Sequence, residues 1–213
     1  LVTDALGRVT DYDYDLFGRL TRMTLAQGTA IEAVYSLEYD SIGNIVTVID
    51  PNNHRTEFEY DVMNRPVVAR DHLGHETTYV YDAEGNVISF RDARGNVTSS
   101  TYDPMGRLNL LTDALNNVTE FRYNSAGRLD AQIDPLGHMV RYEYDLRRQL
   151  VRTTAPDGTQ TLHEYDNVGN LVRLTDSVGN DTTFVYDARG RLMREGDALG
   201  LMRRYHYDAE NNF

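Results

Sequence analysis

The stretch "YDAEGNVISFRDARGN", Tyr81 to Asn96, states one short pattern twice. An aspartate, two variable residues, a glycine and an asparagine appear as Asp82 to Asn86 and again, ten residues later, as Asp92 to Asn96. Aspartate at the first position of a type I turn caps the backbone, and glycine three residues on takes the left-handed conformation that closes a hairpin with a bulge. Between the two turns lies Val-Ile-Ser-Phe-Arg, a β-prone run too short for anything but a strand. The stretch therefore reads as turn, strand, turn.

Moving outward, the same pattern organises the whole chain. Tyr39-Asp40, Tyr60-Asp61, Tyr81-Asp82, Tyr102-Asp103, Tyr123 (followed by Asn124), Tyr144-Asp145, Tyr165-Asp166, Tyr186-Asp187 and Tyr207-Asp208 follow one another at intervals of 21 residues. Tyr14-Asp15 lies 25 residues before Tyr39, and the four extra residues fall between Gly28 and Tyr39. Gly18, Gly43, Gly85, Gly106, Gly127, Gly169 and Gly190 stand four positions after their tyrosines. A second turn per repeat runs from Asp4 to Gly7, Asp71 to Gly74, Asp92 to Gly95, Asp134 to Gly137, Asp176 to Gly179 and Asp197 to Gly200. Asn53, Asn64 and Asn116 replace the glycine with the next most tolerant residue. Arg148 does not fit, so the turn from Asp145 to Arg148 is expected to be strained or differently built.

The segments leading into the tyrosines alternate: Thr56-Phe58-Tyr60, Thr77-Tyr79-Tyr81, Thr119-Phe121-Tyr123 and Thr182-Phe184-Tyr186 share one face, with polar residues such as Glu57 and Glu59 between them. Turn geometry places Tyr81 opposite Val87, Tyr102 opposite Leu108 and Tyr165 opposite Leu171. Counting on from these pairs puts Val46 and Val48, Ile88 and Phe90, Val172 and Leu174 on the other face, among strands that present Glu or Arg. The predicted fold is all-β: a continuous antiparallel sheet of tandem 21-residue hairpins, roughly twenty short strands wide, which must twist and curl. No linker interrupts residues 1–213, so a single array of about ten repeats is expected, with no second domain.

The bulk numbers restrict function. The composition, 40% hydrophobic and 25% charged over 213 residues, is globular, and no apolar run approaches the length that crosses a bilayer as a helix. The start, Leu-Val-Thr-Asp, lacks the basic and apolar segments of a signal peptide. A formal charge of -12 repels a phosphate backbone, so nucleic acid is not an expected partner. With no cysteine there are no disulfides, thiolate nucleophiles or thiolate metal sites.

Candidate chemistry is sparse. His54, His72, His75 and His138 lie in or beside turns of different repeats, and His163 stands where Phe58 and Tyr79 stand in theirs; they read as turn decoration and a substituted aromatic, not metal ligands. Aspartates that recur at one turn position in each repeat fill a backbone role rather than that of paired catalytic acids. Asp50-Pro51, Asp103-Pro104 and Asp134-Pro135 fall in turn register, where proline favours the second position. Neither a nucleophile elbow nor a phosphate-cradling glycine loop is present, and no enzyme activity, cofactor or metal is expected.

The unit "YD-x-x-GR/N-L/V … D-x-x-G-N/H-x-T-x-aromatic-x-YD" resembles the Rhs or YD repeat of bacterial polymorphic toxins, insecticidal toxin-complex C components and teneurins. The resemblance runs over essentially the whole chain. It implies a spiralling, cocoon-like β-shell that encloses a C-terminal toxin domain until delivery, secreted or carried by a bacterial secretion system. Partners implied are that toxin domain, the remaining shell repeats of the same parent, and a candidate secretion-apparatus component, with no membrane insertion. The family's autoproteolytic signature is incomplete here: Asp134-Pro135-Leu136-Gly137 resembles its centre, but Leu129 and His138 replace its outer proline and leucine, and no catalytic residue is carried over. Because the pattern runs to both ends without a cap, the chain reads as a fragment of a longer protein. The alternative expectation is a surface module that binds carbohydrate or protein through exposed tyrosines or a sheet edge.

Overall fold

A computed structural model describes residues 1–208. Those residues form twenty β-strands in antiparallel pairing and no helix. Within each of two compact units, Leu1–Asn116 and Asn117–Phe213, every strand pairs with its neighbours in sequence. The expected all-β hairpin array is what the chain forms. The last Tyr-Asp turn, beginning at Tyr207, runs beyond the described residues.

The five-residue reversals are closed in the same way. In the turn after Tyr81 the Asp82 amide donates to the Asn86 carbonyl at 3.0 Å and the Gly85 amide to the Asp82 carbonyl at 3.2 Å; the turn at Asp92 repeats both bonds at 2.9 Å. The aspartate carboxylate then caps the loop, Asp82 Oδ1 accepting from the Asn86 amide at 2.8 Å and Asp92 Oδ1 from the Asn96 amide at 2.8 Å. The residue before the loop's end sits in the left-handed region, with φ of 93° at Gly85, and of 62°, 62° and 65° at Asn53, Asn64 and Asn116. Arg148 adopts φ 75° and its amide still donates to the Asp145 carbonyl at 2.9 Å. That turn is therefore built like the others, and the strain falls on one side chain whose Cβ crowds the backbone. Ala155 takes the aspartate position of another turn; Asp157 supplies the carboxylate instead, accepting from the Thr159 amide and hydroxyl at 2.9 and 2.7 Å. The four-residue insertion widens one turn into a loop between strands Leu20–Leu25 and Ala33–Tyr39, with Ala26 at φ 52°.

Consecutive turns of a meander fall on opposite edges of its sheet, so each unit has two rims. Among the described residues, the hairpins of the tyrosine rim carry a register shift at the tyrosine, as in Val80↔Ser89 followed by Tyr81↔Val87. Hairpins of the other rim have unbroken register, as in Val97↔Arg91, Thr98↔Phe90 and Ser99↔Ser89. The expected pairs Tyr81–Val87, Tyr102–Leu108 and Tyr165–Leu171 all form.

The bulge overturns the face assignment read from sequence. An extra residue after each tyrosine turn moves everything beyond it to the opposite face. Leu37 pairs with Val48, Tyr79 with Phe90 and His163 with Leu174, so Val48, Phe90 and Leu174 share the tyrosine face. The Tyr79 ring lies 5.2 Å from that of Phe90 and 6.5 Å from that of Tyr81. The opposite face pairs Glu38 with Thr47, Glu143 with Arg152 and Glu164 with Arg173. It carries ion pairs Arg152–Glu143 at 3.1 Å and Arg55–Glu38 at 3.0 Å. Small residues lie beneath these long side chains: Thr47 is 1% and Ala131 3% exposed, and the Arg55 guanidinium donates to Thr47 Oγ1 at 2.9 Å. Most other strand residues are half-buried and many are exposed, because within each unit one layer of sheet has no second layer to close a core.

Candidate functional site

The repeated Tyr-Asp turns gather along one rim, and there the sequence-selected residues Tyr39, Asp40, Gly43, Tyr60, Asp61, Tyr81, Asp82, Gly85, Tyr102, Asp103 and Gly106 of the first unit lie. Tyr123, Gly127, Tyr144, Asp145, Tyr165, Asp166, Gly169, Tyr186, Asp187 and Gly190 take the same places in the second. The turn geometry keeps the carboxylates on the loops, the glycines at positive φ and the phenols at the strand ends.

The phenols reach between repeats. Tyr39, Tyr60, Tyr81, Tyr102 and Tyr165 donate to the carbonyls of Leu20, Ile45, Pro66, Val87 and Leu150 at 2.7, 2.8, 2.8, 3.0 and 3.0 Å. Each acceptor is the residue paired with the tyrosine of the preceding repeat. The bulge takes that residue's polar groups out of the regular ladder, and the next phenol supplies a donor. Burial raises the pKa of Tyr60, Tyr144, Tyr165 and Tyr186 above the ordinary phenol value.

A second link comes from the residue five places after the tyrosine. Arg19 and Arg65 bond their own turn aspartates, Asp15 and Asp61, at 2.6 and 2.7 Å. The same guanidiniums lie over the tyrosine of the next repeat, 4.6 Å from the Tyr39 ring centre and 4.4 Å from that of Tyr81, and donate to the Asp40 and Asp82 carbonyls at 3.3 and 3.2 Å. Arg128 over Tyr144 at 5.1 Å and Arg191 over Tyr207 at 4.7 Å repeat the stack. Where Asn44, Asn86 and Asn170 hold this position, the turn aspartate meets a neutral amide, as in Asn86 Nδ2 to Asp82 Oδ2 at 2.9 Å, whereas Gln149 Nε2 reaches the Gly169 carbonyl at 3.2 Å. Side-chain hydrogen bonding holds Asp82 below the ordinary aspartate value through Asn86, and Asp103 through Arg107.

On the other rim the side chain at the end of the loop bonds within its own turn: Asn96 to Asp92 at 2.8 Å, His75 to Asp71 at 2.9 Å and His138 to Asp134 at 2.8 Å. Between neighbouring turns there, the rings of His54 and His72 stack with centres 3.9 Å apart. Sequence placed both histidines in turns but gave no sign that neighbouring turns bring them together. No group of three or more metal-ligating side chains exists among the described residues. His163 is half-buried beside Leu174, and burial lowers its basicity.

Two family models match this arrangement, the teneurin YD-shell over residues 70–181 and the RHS repeat over residues 1–30, 39–76, 165–200 and 186–212. Each covers more than half of the chain. The chain belongs to the YD-shell and RHS-repeat family. A comparison with curated proteins finds no match. Among solved structures, a chain in the crystal structure of TcdB2-TccC3-TEV is 18% identical with a TM-score of 0.78, over 96% of this chain and 13% of that one. The Tc holotoxin pore of Photorhabdus luminescens is 17% identical with a TM-score of 0.46, over 97% and 15%. TcdB2-TccC3 without its hypervariable C-terminal region is 16% identical with a TM-score of 0.45, over 95% and 15%. At these identities the likeness to TcdB2-TccC3-TEV is one of fold, and the YD-repeat chain spans a small part of that chain's length. No helix among the described residues is long and apolar enough to cross a membrane.

Proposed function

We propose that this YD-repeat chain is a noncatalytic wall segment of a curled β-shell that encloses a C-terminal toxin domain of the same parent protein before delivery outside the producing cell. Residues 1–213 act as a single array in that wall, and the Tyr, Asp and Gly of each repeat are its structural joints. The observation that carries the reading is the use of those residues: phenols, carboxylates and guanidiniums of the tyrosine rim are spent on links from one repeat to the next or on closing turns. An extended single-layer sheet with one apolar, aromatic face suits a wall better than a compact catalyst. The fold shared with a chain of TcdB2-TccC3-TEV supports the same reading.

Limited proteolysis of the full parent protein tests it. The toxin domain is expected to resist digestion while joined to the intact repeats and to be cut once it is expressed alone. A domain digested equally fast in both settings rules out enclosure.

A further inference from the structure

Three open clefts recur at one place on the tyrosine rim. They lie beside Tyr102, Tyr186 and Tyr165, with volumes of about 590, 570 and 430 Å³. Each follows a turn whose fifth residue after the tyrosine is Asn86, Asn170 or Gln149, the short neutral alternatives to arginine. In the arginine repeats the corresponding space holds a guanidinium, as Arg65 does over Tyr81. The chain thus shows both the site and its natural filling, in different repeats.

The geometry points to the Tyr102 cleft as a binding site for an arginine side chain of a second polypeptide. Its lining includes Asp82, Glu84, Asn86, Tyr102 and Asp103 and no cationic side chain. The Tyr165 and Tyr186 clefts, by contrast, are lined in part by Arg147 and Arg189. The Asp82 carboxylate has no cationic partner among the described residues, Arg65 reaching only the Asp82 carbonyl, whereas the carboxylates of its counterparts Asp61 and Asp187 are each paired with an arginine at 2.7 Å. Its carboxylate is ionised, held so by the Asn86 hydrogen bond.

An incoming guanidinium reproduces three contacts that Arg65 makes one repeat earlier: a stack on the tyrosine ring, a charged bond to the preceding turn aspartate, and a donation to the next turn's carbonyl. Its planar fork fits a ring face and a carboxylate together, which an ammonium does not. The source is a polypeptide because free arginine would bring its own α-carboxylate up to Asp82 and Glu84, whereas Asp103 is already paired with Arg107. In a peptide that charge is absent. This site concerns a partner of the rim and stands whether or not the chain walls in a toxin.

Titration of the isotope-labelled 213-residue chain with Ac-Gly-Arg-Gly-NH2, followed by amide shifts, is the test. Perturbations are expected around Tyr102 and Asp82, with the lysine peptide binding about fivefold more weakly. Asn86→Arg fills the cleft from within and abolishes the response, and Arg65→Asn opens an equivalent second site at Tyr81. The gain in Arg65→Asn keeps the test decisive even if the first variant folds poorly. Equal binding of the lysine peptide or of free arginine, an unchanged response in Asn86→Arg, or no new site in Arg65→Asn overturns the assignment.

Discussion

The two rims of the sheet are made from almost the same five-residue turn, yet they hold the molecule together differently. On the second rim each turn is self-contained: Asp92 and Asn96, or Asp71 and His75, satisfy each other. On the tyrosine rim the same capped turn is followed by a bulge, and a phenol or a guanidinium from the neighbouring repeat is bonded into it. One extra residue per hairpin changes an isolated reversal into a joint. Side-chain links between neighbouring turns are therefore concentrated on one edge, adding to the nearest-neighbour interfaces that stabilise a repeat array.

Alkaline pH should break the comparison most broadly, because it acts on several joints together. The phenols of Tyr60, Tyr144, Tyr165 and Tyr186 titrate above their ordinary value because they are partly buried. Their contribution to stability is complete below the unfolded value of about 10 and is lost as pH rises beyond it through the raised folded values. Urea melts followed by circular dichroism from neutral to strongly alkaline pH should show a loss confined to that range. Asp82 and Asp92, on opposite rims, lie below the ordinary aspartate value through side-chain bonds from Asn86 and Asn96. Their contribution is complete above about pH 4 and is lost as pH falls further, on both rims alike.

Glycine substitutions sharpen the contrast at single sites. Gly169→Ala forces a side chain to φ 100° and places its Cβ 3.3 Å from Gln149 Nε2, which itself donates to the Gly169 carbonyl across repeats. A loss of about 2 kcal/mol is expected in denaturant melts. Gly179→Ala on the second rim has φ 90° but open space at Cβ, and should cost only the backbone strain of about 1 kcal/mol. Equal losses at the two glycines would remove the distinction between joint and reversal.

Tyr165→Phe should cost about 1 kcal/mol, since it removes the 3.0 Å donation to Leu150 while keeping the ring. Hydrogen exchange should report the loosening between strands Leu150–Thr154 and Gln160–Tyr165 rather than across the whole unit. Arg148→Gly should stabilise the chain by about 0.5 to 1 kcal/mol in the same melts by relieving φ 75°. The smallest effect is expected for His75→Ala on the second rim. Its bond to Asp71 is exposed and internal to one turn, and the change in melting free energy should stay within about 0.5 kcal/mol.

Most of the fold was legible because turn chemistry is local. Asp82 to Asn86 and Asp92 to Asn96 each carry the cap and the left-handed residue within five positions, so period and strand count follow by reading along the chain. The pairs Tyr81–Val87 and Tyr165–Leu171 follow from the same loop length. The step beyond them failed: counting from Tyr81 and Val87 put Phe90 on the wrong face, because a further bulge, at the tyrosine and apart from the one the glycine turn signals, inserts a residue that no sequence signal marks. At the site, the rim positions of Tyr102 and Asp82 were legible, but their open cleft was not. It depends on Asn86 standing beside a tyrosine 16 residues later, and the arginine–tyrosine stacks of other repeats, such as Arg65 over Tyr81, show what that neighbourhood ordinarily holds.

By itself the sequence determined where the chain reverses, that it forms antiparallel hairpins, and that its recurring aspartates serve turns, since each of these depends on residues within one loop or one strand. The tertiary structure alone decided which side chains share a face, which phenol meets which carbonyl, and where a guanidinium leaves a ring uncovered. Those depend on register, and register changes by a whole face when one residue is added to a strand.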